Sequence, residues 1–276
     1  MRGATTPRPY VSARGVSALR QGLSERDLAI LRQVAGLRLM SADQIQAIHF
    51  PVEQHGSKSA ATRARQRTLA RLIRQRLLIS LERRIGGVRA GSTGLILALD
   101  AFGQRVLALD GPRRRSYEPT SRFVDHTLAA AQLVVDLTLT ERAGQLELLE
   151  HQAEPNCWRE YADMGGRRLL RPDAFVVLGV GDYELRWFVE IDRATESLPV
   201  VLRKCRCYAD YYQAGIEQAK SGGVFPRVVW SVPNEKRAEQ VRRTINRDRS
   251  LPEGLFAVTT SQQTVPVLMA LTNQPN

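Results

Sequence analysis

Basic side chains are concentrated in one part of this chain. Residues 1–120 contain 21 Lys and Arg against 8 Asp and Glu, whereas residues 121–276 contain 19 against 20. The excess behind the formal charge of +12 therefore lies in the first part, which favours two modules of different function. Because phosphate contacts supply most non-specific DNA affinity, we predict double-stranded DNA as the partner of the basic part. A high arginine content without any ligand is the alternative.

Length and composition limit the class of protein. With 276 residues, 43% of them hydrophobic, the chain has enough apolar material for two modest domains. No apolar run approaches the roughly 20 residues of a membrane span, and the first residues contain no signal-like apolar core. We therefore predict a cytoplasmic protein without a membrane partner. Cys157, Cys205 and Cys207 are interpreted as buried thiols, because one Cys-x-Cys without a second close pair is a weak zinc signal.

Composition also suggests the domain limits. Residues 1–22 contain two prolines, no acid and no hydrophobic period, which predicts a disordered basic arm. Residues 112–120 combine three consecutive arginines with flanking prolines and are interpreted as a linker. A first domain over 23–111 and a second over 121–260 follow, with a C-terminal tail over 261–276.

The first domain shows three helical segments and two strands. Ser24 with Asp27 forms a capping-box pattern before the first helix, and a second short helix starts at Ser41 and stops near Pro51. A third helix runs from about Ser59 to Arg76, apolar on one side and arginine-rich on the other. Short strands over Leu77–Leu81 and Leu95–Leu99 flank a glycine-rich basic tip.

Three helices followed by a basic hairpin are the order of a winged helix-turn-helix. In that arrangement the third helix enters the major groove and the wing lies near the DNA backbone. A small helical domain with a solvated arginine face is the alternative. The predicted DNA-contacting residues are Arg63, Arg67, Arg71, Arg74, Arg83, Arg84 and Arg89.

The second half alternates helices and strands in the order αβββαβαβ. This order predicts a mixed sheet with helices on both faces, in the α+β or α/β class. The predicted elements are a helix over 121–140, strands over 147–154, 169–178 and 183–192, a helix over 199–214, a strand over 227–232, a helix over 235–247 and a strand over 255–259. Gly165 and Gly166 are interpreted as part of a loop.

Acidic residues mark one end of these strands. Asp173 follows Pro172, and Glu190 and Asp192 alternate on the next strand, so that their side chains share a face. Phosphodiester hydrolysis needs a hard divalent cation with oxygen ligands, and a nearby cation stabilises the developing charge. We therefore predict a Mg²⁺ site formed by Asp173, Glu190 and Asp192, with Asp173, Glu190 and Lys204 as catalytic residues.

Each of these residues also has an ordinary structural interpretation. Asp173 fits a turn, Asp192 fits a pair with Arg193 or a helix cap, and Lys204 fits an exposed helical position. A nucleophilic tyrosine among Tyr208, Tyr211 and Tyr212 is disfavoured because the four histidines are scattered. Tyr208 packs on Lys204 or stacks on a base in this interpretation. His126 and His151 are interpreted as hydrogen-bonded residues rather than ligands.

These residues carry a family resemblance. The αβββαβ order with Pro172-Asp173 and Glu190-Ile191-Asp192 resembles the PD-(D/E)XK nuclease superfamily, in which Asp, Glu and Lys surround one or two magnesium ions. The chain departs from that pattern at Asp192, where the family has lysine. The nearest replacements are Arg193 and Lys204.

A longer pattern is similar to the replication-relaxation proteins of plasmids and integrative elements. It comprises the segment from Phe188 to Glu196, the downstream Lys204, Tyr208 and Tyr212, the winged helix and the helix containing His126. This resemblance implies DNA binding in replication, relaxation or mobilisation. Two functions stay open: a Mg²⁺-dependent DNA nickase or endonuclease, and a transcriptional regulator or replication initiator whose nuclease-like domain is inactive. A homodimer and contacts with other replication or transfer proteins also stay open.

Overall fold

The computed structural model describes residues 12–81, 94–108, 121–163 and 166–270. It divides the α+β chain into two compact units, Met1–Ser121 and Arg122–Asn276, called unit 1 and unit 2 below. Within the described residues, no helix is both long and apolar enough to cross a membrane.

Unit 1 begins with a helix where the sequence suggests a disordered arm. Helix α1 (Ala13–Gln21) starts at Ser12, whose hydroxyl accepts a hydrogen bond from the amide of the third helical residue. Val16 is buried, and the Arg20 guanidinium donates to the carbonyl of Val106 (3.0 Å). The structure corrects the prediction for residues 12–22, because one buried position and a distant carbonyl hold a helix too short to show a hydrophobic period. Residues 1–11 lie outside the described part.

The three predicted helices of unit 1 are confirmed. Both Ser24 and Ser41 cap helices through complete capping boxes, which satisfy amides that the first turn leaves free. A further short helix precedes the arginine-rich one. The helices are α2 (Glu25–Leu37), α3 (Ala42–His49), α4 (Val52–His55) and α5 (Lys58–Arg74).

A small antiparallel sheet completes unit 1. Strands β2 (Leu78–Leu81) and β3 (Ile96–Leu99) pair as predicted, and β1 (Leu39–Ser41) adds a third strand in the order β1-β3-β2. Helix α6 (Ala101–Leu107) follows. The predicted hairpin tip, within residues 82–93, and the predicted linker lie outside the described residues.

Unit 2 contains a mixed five-stranded sheet and a separate two-stranded ribbon. In chain order its elements are α7 (Ser121–Arg142), β4 (Glu147–Ala153), β5 (Arg159–Asp163), β6 (Gly166–Leu170), β7 (Ala174–Val180), β8 (Tyr183–Ile191), α8 (Leu198–Gln213), α9 (Ile216–Lys220), β9 (Arg227–Val232), α10 (Glu235–Arg247), β10 (Phe256–Thr260) and α11 (Thr264–Leu268). The sheet order is β10-β9-β8-β7-β4. The first three of these strands are parallel, and β8, β7 and β4 are antiparallel.

Alternating side chains of the sheet build two cores. Phe188 faces a cluster that includes residues of α8 and α10, whereas Trp187 and Val189 face a cluster that includes residues of α7 and α11. This period of two is that of a central strand buried on both faces. It also places the polar residues at the strand ends on defined sides of the sheet.

Three sequence-based boundaries in unit 2 are corrected. The strand predicted over 169–178 is two strands, β6 and β7, because Pro172 lacks an amide for the ladder. Part of the loop predicted around Gly165 and Gly166 is the antiparallel β5–β6 ribbon. The predicted tail over 261–276 contains a 3-10 turn and α11, and the Trp187 indole donates to the carbonyl of Leu268 (3.0 Å).

Candidate functional site

The exposed face of α5 is the first candidate site. Arg63, Arg67 and Arg74 are exposed at helical spacing, whereas Leu69 and Leu72 on the other side are buried. None of the three arginines pairs with an acidic side chain among the described residues. This face therefore presents positive charge that the described part of unit 1 does not neutralise.

Arg71 differs from its neighbours on α5. Its Nη2 lies 2.7 Å from Oδ1 of Asp27, a buried carboxylate at the start of α2. Burial alone would raise the pKa of Asp27, but hydrogen bonds from Arg71 and Ser24 lower it below its ordinary value. The structure thus makes Arg71 a bridge between α5 and α2. The predicted contacts Arg83, Arg84 and Arg89 lie outside the described residues.

The second candidate site lies where β7 begins and β8 ends. The antiparallel register pairs Ala174 with Val189, so Asp173 and Glu190 are the next pair and share the α8 side of the sheet. Asp173 is held by its own backbone amide, which donates to Val189 (3.1 Å), and by its Oδ2, which accepts from the amide of Ile191 (2.6 Å). Two buried carboxylates are therefore fixed side by side.

Glu190 is 1% exposed and both of its oxygens accept hydrogen bonds. Oε2 accepts from Nζ of Lys204 (3.0 Å) and Oε1 from the hydroxyl of Tyr208 (2.7 Å). Burial first, and the charge of Asp173 second, raise the pKa of Glu190 to about 8 despite the lysine and the tyrosine. Folding therefore makes Glu190, whose ionised form accepts these two bonds, harder to ionise than an ordinary glutamate. Tyr208 is buried with a pKa well above its ordinary value, chiefly through burial, which argues against a nucleophilic role.

Lys204 is the cation at the centre of this cluster. Its Nζ lies 3.0 Å from Glu190 and 3.0 Å from Oε1 of Glu196, and 5.7 Å from the ring centroid of Trp230. Burial alone would lower the pKa of Lys204, but the surrounding carboxylates raise it. The structure therefore brings together Asp173, Glu190 and Lys204, as the sequence predicts.

His126 and Glu196 belong to the same cluster, although neither was predicted from the sequence to be part of a site. The His126 Nε2 lies 3.2 Å from Oδ1 of Asp173, and this carboxylate raises the pKa of the imidazole. The sequence feature that could have identified His126 as a member of the cluster is its position on the helix that precedes the sheet. For Glu196, that feature is its place in the segment that begins at Glu190.

Asp192 does not belong to the cluster. It lies beyond the end of β8, where its Oδ2 accepts from Nε of Arg237 (2.6 Å) and its Oδ1 from the amide of Ala194 (2.7 Å). The guanidinium of Arg237 also donates to the carbonyl of Glu196 (2.7 Å). Strand alternation alone could not reveal this partner, because Arg237 is 45 residues away in the chain.

The residues do not fit the predicted three-carboxylate magnesium site. Among the described residues, no group of three or more His, Cys, Asp and Glu side chains is arranged to hold a metal ion. Each carboxylate oxygen of Asp173 and Glu190 already has a protein partner, and Asp192 is paired with Arg237. The positive charge in the cluster is supplied by Lys204.

The three cysteines are free thiols, and Cys207 departs from the predicted burial because it is half-buried. Cys157 and Cys205 are buried, and burial raises the pKa of each to about 12. The Cys157 thiol donates to the carbonyl of Pro172 (3.0 Å), which ties the start of β5 to the segment before β7. These thiols are packing groups rather than nucleophiles.

The fold and its two sites define an α+β protein with an exposed arginine helix in unit 1 and a buried carboxylate–lysine cluster in unit 2. The chain belongs to the replication-relaxation family, whose model matches residues 31–228. This span contains α5 and every member of the carboxylate–lysine cluster. No curated protein and no solved structure gives a significant match.

Proposed function

We propose that this chain is a DNA-binding protein of a plasmid or integrative mobile element, acting in replication, relaxation or mobilisation of double-stranded DNA. The observation that carries the proposal is the exposed arginine face of α5, whose charge has no acidic partner among the described residues of unit 1. Membership of the replication-relaxation family supports the same role. The cytoplasm, where such elements replicate, is the proposed location.

The arrangement of unit 1 supports a winged helix-turn-helix. Helices α2, α3 and α5 precede the β2–β3 hairpin, and β1 joins it as a third strand. In a winged helix-turn-helix, the helix at the position of α5 enters the major groove, where arginines contact phosphates and guanine edges. In this proposal Arg63, Arg67 and Arg74 contact DNA, and the hairpin tip with Arg83, Arg84 and Arg89 lies near the backbone.

The test is the salt dependence of duplex binding by the full chain. Each lost phosphate contact reduces the slope of log affinity against log salt by about 0.9, so Arg63→Ala/Arg67→Ala should reduce it by about 1.8. Arg243→Ala/Arg247→Ala removes the same charge from exposed positions on α10 and is the matched control. An unchanged slope for the α5 variant, or no duplex binding by wild type, would overturn the proposal.

Unit 2 has the strand order that supports a PD-(D/E)XK-like fold, with three antiparallel strands followed by a parallel one. Lys204, however, already binds Oε2 of Glu190, and Asp192 is paired with Arg237. We therefore propose that the protein acts through binding, as a sequence-specific regulator or initiator, with unit 2 as an inactive scaffold. Self-association through unit 2, or contact with other replication or transfer proteins, belongs to the same proposal.

A Mg²⁺-dependent nickase or endonuclease is the second candidate. It is favoured by one observation, the fixed pair Asp173 and Glu190 beside Lys204. Incubation with supercoiled plasmid and Mg²⁺ separates the two functions. Nicking that Asp173→Asn and Glu190→Gln both abolish would establish the second candidate, whereas no nicking, or nicking unaffected by both variants, would remove it.

A further inference from the structure

We infer that the outer face of the β5–β6 ribbon is a second contact for double-stranded DNA, located on unit 2. The inference rests on the proposed function, since it assumes that the protein binds DNA. It adds a surface that lies outside α5 and outside the predicted wing. The partner is the sugar–phosphate backbone on the two sides of one groove.

The inner face of the ribbon is anchored in unit 2. Tyr161 and Leu170 are buried in the core on the α8 side of the sheet. Nε of Arg159 lies 2.6 Å from Oε1 of Glu217, and its guanidinium lies 4.9 Å from the ring centroid of Phe175. The ribbon is therefore a fixed feature of unit 2 and presents its other face without reorganisation.

The outer face carries the residues that alternate with these anchors. Opposite residues of the antiparallel pair lie on the same face, so the register defines the outer set. Arg171 directly follows β6 and is exposed, and its guanidinium lies 5.0 Å from the ring centroid of Trp158, which packs against the core. The outer side chains are Glu160, Ala162, Arg167 and Leu169, and the same alternation places Arg171 with them.

This outer face is basic although unit 2 as a whole is nearly balanced in charge. Arg171 is exposed, and the side chain of Arg167 is 89% exposed. Glu160 is the one acidic member of the set, and its 3.0 Å pair with Arg167 is between side chains that are both largely exposed. Such a pair is weak, and the arginine can exchange it for a phosphate. Charge complementarity therefore favours a polyanion on this face.

The spacing of the two arginines favours duplex over single-stranded DNA. Arg167 and Arg171 are four residues apart on one face, which at a rise of about 3.3 Å per residue separates their backbones by about 13 Å. This is close to the major-groove width of about 12 Å, and that groove admits a two-stranded ribbon. Leu169 lies between them and is 39% exposed, where it can contact apolar base edges.

The ribbon is close along the chain to the carboxylate–lysine cluster. Asp173 follows Leu170 by three residues, which limits the separation of their backbones to about 10 Å. The hydrogen bond from the Cys157 thiol to the carbonyl of Pro172 joins the segment before β5 to the segment between β6 and β7. The anchored ribbon and the carboxylate–lysine cluster are therefore neighbours along the chain.

The test compares salt-dependent duplex binding and hydroxyl-radical footprints of full-chain variants. Arg167→Ala/Arg171→Ala should reduce the salt slope by about 1.8, so that wild type loses about tenfold more affinity than the variant between 50 and 200 mM salt. The variant should also lose one patch of protected backbone that the wild type shows. Arg243→Ala/Arg247→Ala is the control of equal charge, and circular dichroism verifies folding.

The outcomes separate this inference from the proposed function. An unchanged slope and footprint for the ribbon variant, with binding weakened by Arg63→Ala/Arg67→Ala, overturns the ribbon contact and leaves the proposed function standing. Weakening by the ribbon variant but not by the α5 variant supports the ribbon and overturns the role of α5. Absence of any duplex binding by wild type overturns both. An equal loss in the α10 control also overturns the ribbon contact, because it would show a non-local charge effect.

Discussion

Replacing Glu190 with glutamine should change how the stability of unit 2 depends on pH. Glu190 is buried and keeps its proton in the folded state to about pH 8, whereas an unfolded glutamate releases it near 4.5. The folded state therefore binds more protons between these values, and the wild type loses stability as pH rises through this range. Glutamine does not titrate, so the variant lacks this loss.

The size of the effect follows from the same values. One pKa unit corresponds to about 1.4 kcal/mol, so a pKa raised to about 8 can cost the wild type up to about 4 kcal/mol between pH 5 and pH 8. The glutamine also lowers the free energy of unfolding by an amount that does not depend on pH, because its NH₂ group would face Lys204 or Tyr208, and both of these are hydrogen-bond donors. The free energy of unfolding of the variant relative to wild type should thus rise by several kcal/mol across this interval.

Urea unfolding followed by tryptophan fluorescence measures this difference. All three tryptophans lie in unit 2, so the signal reports that unit alone. The pKa of His126 is also raised, so this histidine contributes to the pH dependence of stability in both proteins. Subtracting the free energy of unfolding of the wild type from that of the variant removes most of this shared contribution. If the free energies of unfolding of the two proteins, plotted against pH, differ only by a constant offset to within about 0.5 kcal/mol, the assignment of a raised pKa to Glu190 is refuted.

Three further substitutions test the packing that positions the two sites. Gly103→Ala should destabilise unit 1 by about 3 kcal/mol in thermal unfolding followed by circular dichroism, because its Cβ would meet the carbonyl oxygen of Leu77. Asp27→Ala should cost unit 1 about 2 kcal/mol through loss of its cap and its arginine partner. Because the pKa of Asp27 is lowered, the wild type loses this stabilisation as pH falls through the acidic range, and the two proteins should converge there. Asp192→Ala should destabilise unit 2 by about 3–5 kcal/mol in urea unfolding, because a buried arginine loses its partner.

Matched controls exist for each of these substitutions. Gly36→Ala lies within α2 with open space at its Cβ and should stabilise unit 1 by about 0.5–1 kcal/mol. Glu53→Ala and Asp210→Ala remove exposed carboxylates from units 1 and 2 and should change stability by less than about 0.5 kcal/mol. Effects of the controls as large as those of the test variants would contradict the assigned contacts.

The sequence predicted the features that depend on local patterns. Ser24 and Ser41 identify helix starts because capping acts within three residues, and the helical period of α5 separates its arginines from its apolar face. The facing pair Asp173 and Glu190 also followed from strand order and alternation. In these cases the interactions that decide the structure lie within one element or one hairpin.

The features that were not predicted from the sequence depend on distant partners. Helix α1 is held by the carbonyl of Val106, and α11 by the indole of Trp187, neither of which is visible in a local window. Asp192 appeared equivalent to Glu190 by alternation, but Arg237 from α10 binds its carboxylate. The same holds for Arg71, whose place on the basic side of α5 hides its pairing with a buried aspartate.

Hydroxyl-radical footprinting of the full chain across the DNA of its own replicon tests the central claim most directly. The proposed function predicts at least one protected site for wild type, which is lost in Arg63→Ala/Arg67→Ala and retained in Arg243→Ala/Arg247→Ala. Protection that persists in the α5 variant, or a replicon without any protected site for wild type, would contradict DNA recognition through α5.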